Sequence, residues 1–83
     1  RRWSVACDAV ASRYGLTKRE SEVFGLLSKG RSTRYIQEKF VISPHTVETH
    51  IHNIYTKMGI GSRDELVKLV EDEMGADDGG GRD

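Results

Sequence analysis

The feature that most restricts what this 83-residue chain can fold into is its single proline, Pro44, which follows Ser43 and opens a stretch of helical apolar spacing. Proline has no backbone donor and a fixed φ. It therefore suits the first position of a helix, where the donor would be unpaired, and breaks a helix further in. Ser43 supplies the hydroxyl that an N-cap needs, so a helix must begin at Pro44. Its inward stripe is Val47, Ile51, Ile54 and Met58, flanked by His50 and Tyr55, and Gly59 stands where the helix should stop. Just upstream, Ser32 can cap a short helix from Thr33 to about Phe40 that buries Ile36 and Phe40 on one side. Only Val41, Ile42 and Ser43 lie between the two helices, and this is the spacing of a helix-turn-helix unit.

The rest of the chain is helical by the same two signals, apolar period and end residues. Trp3, Cys7, Val10 and Tyr14 recur every three or four positions and are followed by Gly15. Thr17-Lys18-Arg19-Glu20 can form a capping box ahead of Val23, Phe24, Leu26 and Leu27, with Gly30 beyond. Ser62-Arg63-Asp64-Glu65 repeats that arrangement ahead of Leu66, Val67, Leu69 and Val70, with Gly75 as the expected stop. The predicted fold is an all-α, four-helix bundle over residues 16–75, with residues 1–15 as an additional upstream helix or linker. From Ala76 to Asp83 the chain is acidic, glycine-rich and without apolar anchors, so a disordered tail is expected. A chain of this size supports one small core.

Net charge is zero, but it is unevenly placed. Residues 17–63 carry eight Lys or Arg against four Asp or Glu, residues 64–83 two against eight, and residues 1–16 three Arg against Asp8. The middle of the molecule is basic and its end acidic, a distribution that suits a polyanionic partner better than the sum does. Cys7 has no second cysteine to pair with, which points to a reducing, cytoplasmic setting. No apolar run approaches the roughly 20 residues of a membrane span, and no signal-peptide pattern opens the chain. The Arg1-Arg2-Trp3 start, without Met, leads us to expect a preceding N-terminal domain.

With Val47 and Ile51 turned inward, a rotation of about 100° per residue puts His45, Thr49, His52 and Thr56 on the opposite face, with Glu48 and Asn53 at its flanks. Spacing alone fits a solvated face of a small bundle as well as a DNA-reading one. The residues themselves go further. Leu16-Thr17-x-Arg19-Glu20-x-Glu22-Val23, Gly30, Ser32, Ile36, Ser43-x-x-Thr46-Val47-x-x-His50 and Asn53-Ile54-Tyr55-x-Lys57-Met58-Gly59-Ile60-x-Ser62-Arg63-x-Glu65-Leu66 closely resemble the signature of the LuxR-type (LuxR/FixJ/NarL, GerE-like) helix-turn-helix family over about residues 16–70.

That resemblance implies a double-stranded DNA-binding output domain of the kind found in quorum-sensing regulators and two-component response regulators. A sensor domain would lie on its N-terminal side, in some relatives a membrane domain, and RNA polymerase is a further partner such a role allows. Carried onto matching positions, it places Glu48, Thr49 and His52 at base edges, and His45 shares their face. Ser43, Thr46 and Lys57 are placed toward phosphates; Arg34, beside the presumed groove helix, and the Tyr35 hydroxyl are added to them. Arg63 is expected to pair with Glu20 as a structural tie, and the last helix to form a homodimer through Val67, Val70 and Met74. The chain departs from the family pattern at Glu48, where a basic residue is usual, at Gln37, where a small one is usual, and at Tyr35, where an acidic one is usual.

Other functions fit less well. His45, His50 and His52 are five and two residues apart, which does not bring two ligands and a base onto one helix face, so no metal or other cofactor is expected. No nucleophile, base and orienting group have reason to converge, which argues against an enzyme. The principal rival is a helical protein-interaction module that uses the same face on a partner protein.

Overall fold

In the computed structural model, which describes residues 2–80 and their side chains as far as Ala76, five helices follow one another: α1 (Arg2–Arg13), α2 (Lys18–Ser28), α3 (Thr33–Phe40), α4 (Pro44–Met58) and α5 (Arg63–Gly80). Four of the five starts are set by a hydroxyl three residues ahead of the amide it accepts from. Thr17 accepts from the amide of Glu20 at 3.1 Å while the Glu20 carboxylate accepts from the amide of Thr17 at 2.9 Å, so the capping box is complete. Ser32 accepts from Tyr35 at 3.0 Å, Ser43 from Thr46 at 3.1 Å and Ser62 from Glu65 at 3.2 Å. At the last of these the Glu65 carboxylate accepts from the amide of Gly61 at 2.6 Å, one residue earlier than a capping box would have it.

Gly59 ends α4 in the left-handed conformation, where a Cβ would be strained. Val41 ends α3 the same way, with φ 53°, and it has no glycine's freedom to do so. This β-branched residue is 89% exposed and adopts the conformation because the chain must reverse within three residues to reach Ser43. Gly75 does not take a positive φ, and α5 continues through it to Gly80. The expected stop at Gly75 is therefore passed. With no proline nearby and Met74 packed against the core just before it, helix propagation continues into the tail segment. Residues 81–83 of that segment lie outside the described residues.

The core runs from Val10 of α1 through Val23, Phe24 and Leu27 of α2 to Leu66 and Val70 of α5, and from there to Ile36, Val47 and Ile54 of the α3–α4 pair. α1 is the additional helix of the bundle. It packs along α5 and α2 and buries Ala6, Cys7, Val10 and Ala11. Trp3 Nε1 donates to Ser28 Oγ at 2.9 Å, and Cys7 Sγ lies 3.4 Å from the same hydroxyl. Burial pushes the Cys7 thiol pKa up, and the Ser28 contact only partly opposes it. Arg13, in the last turn of α1, pairs with Glu73 of α5. α4 packs on α2, and α3 packs chiefly on α4, so the helix-turn-helix unit is attached to the rest through its longer helix.

Candidate nucleic-acid interface

α4 separates its two sides as its period requires. Val47, Ile54 and Met58 are buried and Ile51 is half-buried, while His45, Glu48, Thr49, His52 and Thr56 are all exposed. The four residues expected at base edges therefore share one open face, about two turns long from His45 to His52, with a capped N-terminus and no acidic residue in its first turn. Glu48 has no hydrogen-bond or ion-pair partner among the described residues, so its carboxylate is available to whatever the face meets. Ser43 and Thr46 stand at the head of the helix with their hydroxyls 3.0 Å apart, one bond of the pair being the cap itself.

Arg34 and Tyr35 are exposed on the first turn of α3. Arg34 is engaged with Glu38 at 3.3 Å across one helical turn, a surface pair that weakly offsets its charge. The Tyr35 ring lies under the guanidinium of Arg31, 4.7 Å from its centroid. Arg31 precedes the Ser32 cap, and its carbonyl accepts from Arg63 Nη1 at 2.7 Å. The sequence reading missed that stack, although the four-residue spacing of an Arg and a Tyr across a cap was there to suggest it.

Three expected roles are overturned. Lys57 does not reach outward to phosphate: its ammonium donates to the Glu20 carboxylate at 2.7 Å and to the carbonyl of Gly15 at 3.4 Å. It sits between buried Ile54 and Met58 on the flank of α4 that meets α2, which sends its stem to the N-terminal end of that helix. Arg63 does not pair with Glu20. It lies at the opposite end of α2, where it donates to the carbonyls of Leu27, at 3.5 Å, and Arg31. Glu20 and Leu27 are roughly 10 Å apart along a helix that rises about 1.5 Å per residue, so one residue cannot serve both ends. Arg63 instead adds a donor where the chain leaves α2, to the carbonyl of Leu27, which already accepts from the amide of Gly30, and to that of Arg31 in the following loop. Val70 is fully buried and belongs to the core rather than to a dimer surface, because α5 is covered by α1 on one side and α2 on another. Val67 and Met74 remain half-buried against the core.

The Glu20 side chain is only 7% exposed. Burial alone would raise its pKa, but the Lys57 ammonium and the Thr17 donors outweigh it and hold the carboxyl below the ordinary carboxylate range. This ion pair ties α4 to the start of α2. Away from α4, a shallow cavity of about 260 Å³ is lined by residues of α1, α2 and α3, among them Cys7, Lys29 and Lys39. Among the described residues no three His, Cys, Asp or Glu side chains come together as a metal-holding group.

Comparison with known proteins agrees with this geometry. The family model "Bacterial regulatory proteins, luxR family" matches residues 14–70. The chain is 45% identical over 55 residues to the oxygen regulatory protein NreC of Staphylococcus aureus, which covers 66% of this chain and 25% of that protein. It is 42% identical over 52 residues to an HTH-type transcriptional regulator of Mycobacterium bovis, covering 63% of this chain and 6% of the relative. The chain thus spans only a small part of the length of these relatives. No solved structure matches it. The helix-turn-helix geometry, the open polar face of α4 and the extent of the family match together place the chain in the luxR family of bacterial regulatory proteins.

Proposed function

We propose that this domain binds double-stranded DNA sequence-specifically as the output part of a bacterial transcriptional regulator in the cytoplasm, with α4 in the major groove. The observation that carries this reading is the exposure of His45, Glu48, Thr49, His52 and Thr56 on one face while Val47, Ile54 and Met58 hold the opposite face in the core. A major groove admits one helix, and polar side chains of this kind can match the donors and acceptors on its base edges. In this arrangement Glu48, Thr49 and His52, with His45, meet bases, and Ser43, Thr46 and Arg34 meet the backbone on either side; the Tyr35 ring, which carries the Arg31 guanidinium, lies beside these contacts without its hydroxyl serving as one.

Two copies reading adjacent half-sites would give a near-palindromic operator with half-sites about one helical turn apart. The half-buried Val67 and Met74 of α5 are the apolar contacts that helix can offer to such a pair, Val70 being enclosed. The full-length protein would place a signal-receiving region on the N-terminal side of α1.

The test is selection of bound sequences from a random duplex library, with affinities followed by fluorescence anisotropy at two salt concentrations. Binding that weakens steeply with salt and enriches a paired motif is the expected result. Absence of binding to any duplex at low salt would overturn the reading in favour of a protein-interaction module, whose apolar contacts change little with salt.

A further inference from the structure

We propose that Arg31 is a DNA-backbone contact ordered in advance of binding, with Tyr35 as its positioning residue; the inference rests on the DNA-binding reading above and assigns part of its backbone footprint.

Several cations among the described residues are already engaged. Arg13, Arg19, Arg34, Lys57 and Lys68 each have a carboxylate partner, and Arg63 donates to two backbone carbonyls. Arg31 shares the lack of a carboxylate partner with Lys18, Lys29 and Lys39 among the described residues, and differs from them in being held in place. Its guanidinium has no carboxylate partner among the described residues. Its side chain is nonetheless not loose, because the guanidinium carbon rests 4.7 Å from the centroid of the Tyr35 ring. Its backbone is fixed as well, through the 2.7 Å bond from Arg63 to its carbonyl and through the neighbouring Ser32 cap, which holds the Tyr35 amide at 3.0 Å. Both members of the stack are thus anchored by elements on either side of it, α3 and the start of α5.

The guanidinium N–H groups of Arg31 make no hydrogen bond among the described residues, so their edge is open to a phosphate, which it can bind with two parallel hydrogen bonds. A side chain held this way has already lost much of the rotamer freedom that a free arginine gives up on binding. The stack also lies where a backbone contact is needed, since the first helix of a helix-turn-helix unit crosses the DNA backbone and Arg31 stands just ahead of the cap of that helix, with Tyr35 in its first turn. Tyr35 matters for a second reason: with no acidic residue in the first turn of α3, the charge of Arg31 is not cancelled by its own helix. On this reading the Tyr35 ring acts through Arg31, and its hydroxyl is dispensable.

The experiment measures binding of the wild type, Arg31→Ala, Arg31→Lys, Tyr35→Ala, Tyr35→Phe and the Arg31→Ala/Tyr35→Ala pair to the selected operator and to an unrelated duplex across a salt series, with thermal unfolding of each. Arg31→Ala is expected to weaken both duplexes alike and to lower the salt slope by about one. Arg31→Lys should keep the slope but bind as weakly as Tyr35→Ala, since an ammonium retains the charge without the planar stack. Tyr35→Phe should match the wild type, and Tyr35→Ala should cost nothing further once Arg31 is gone. Unchanged unfolding midpoints for Arg31→Ala and Tyr35→Phe make these losses binding effects. An unchanged slope in Arg31→Ala, with the wild type binding normally, overturns this proposal alone. So does a Tyr35→Phe variant as weak as Tyr35→Ala. A wild type that binds neither duplex removes the DNA-binding reading and this one with it.

Discussion

The α1–α2–α5 side of the molecule and the α3–α4 unit spend their residues differently. α1, α2 and α5 contribute Val10, Val23, Phe24, Leu27, Leu66 and Val70, all fully or almost fully buried, whereas α3 contributes only Ile36 to the buried set and α4 contributes Val47, Ile54 and Met58. The outward side of α4 carries no large apolar residue, and α3 ends at an exposed valine in a left-handed turn. One side holds the fold; the other is presented by it. The difference teaches that stability and recognition here are separable by position, because the unit that would meet DNA depends on a few anchors while the frame behind it supplies most of the burial.

The sharpest way to break that contrast is to empty the frame. Phe24 of α2 is fully buried in the core, and Phe24→Ala should cost about 3–5 kcal/mol, a large part of what a small domain has. Urea denaturation should find the variant largely unfolded or close to it. Ile36→Ala, the corresponding cavity in the thin unit, should cost less, near the lower end of the about 2–5 kcal/mol range for such changes, and leave the α1–α2–α5 frame cooperative. Equal losses at the two sites would mean that the unit is as deeply built in as the frame.

Next in size is the tie between the two regions. Glu20→Gln keeps the oxygen that the Thr17 capping box needs and removes the charge facing Lys57, so it should destabilise by about 1–3 kcal/mol at neutral pH. Because the folded-state pKa of Glu20 lies below its ordinary value of 4.5, its contribution is present above that pH and is lost as pH falls through the folded value. Thermal unfolding followed from pH 6 downward should therefore show the wild type converging on Glu20→Gln in acid. A constant gap between them would mean that the carboxylate charge is not what Lys57 requires.

How much of this was readable in the sequence follows the range of the interactions. Caps act over three residues, so Thr17, Ser32, Ser43 and Ser62 marked the helix starts, and the period of α4 separated its two faces. What failed was long-range. The partner of Glu20 could not be chosen between Lys57 and Arg63 without knowing which end of α2 each one approaches. Val70 read as a surface residue because a helix flanked by both α1 and α2 buries a wider stripe than one packed on a single neighbour. The left-handed Val41 had no glycine to announce it, and only the tightness of the turn requires it.

On the presented side the expected effects are in binding rather than folding. His52 is exposed on the open face of α4, so His52→Ala should leave stability within about 0.5 kcal/mol while relaxing sequence preference at one base position by about 1–3 kcal/mol. Selection from a random library reports the second quantity directly. A uniform loss across all sequences would move His52 from the bases to the backbone.

The smallest effect, and the one that most finely divides the presented side, belongs to Glu48. Its exposed carboxylate has no partner among the described residues, and it stands between the exposed Thr49 and the head of the helix. If it faces phosphates it is repelled by them, and Glu48→Gln should bind every duplex a few-fold more tightly with operator preference unchanged. If it accepts a hydrogen bond from the amino group of a cytosine, the same substitution should lower affinity for the selected operator alone, since an amide can still offer an oxygen but without the charge that strengthens the bond. Our assignment of Glu48 to a base edge requires the second result. Titration of the operator and one unrelated duplex separates the two, and a general gain in affinity would move this residue to the rim of the interface.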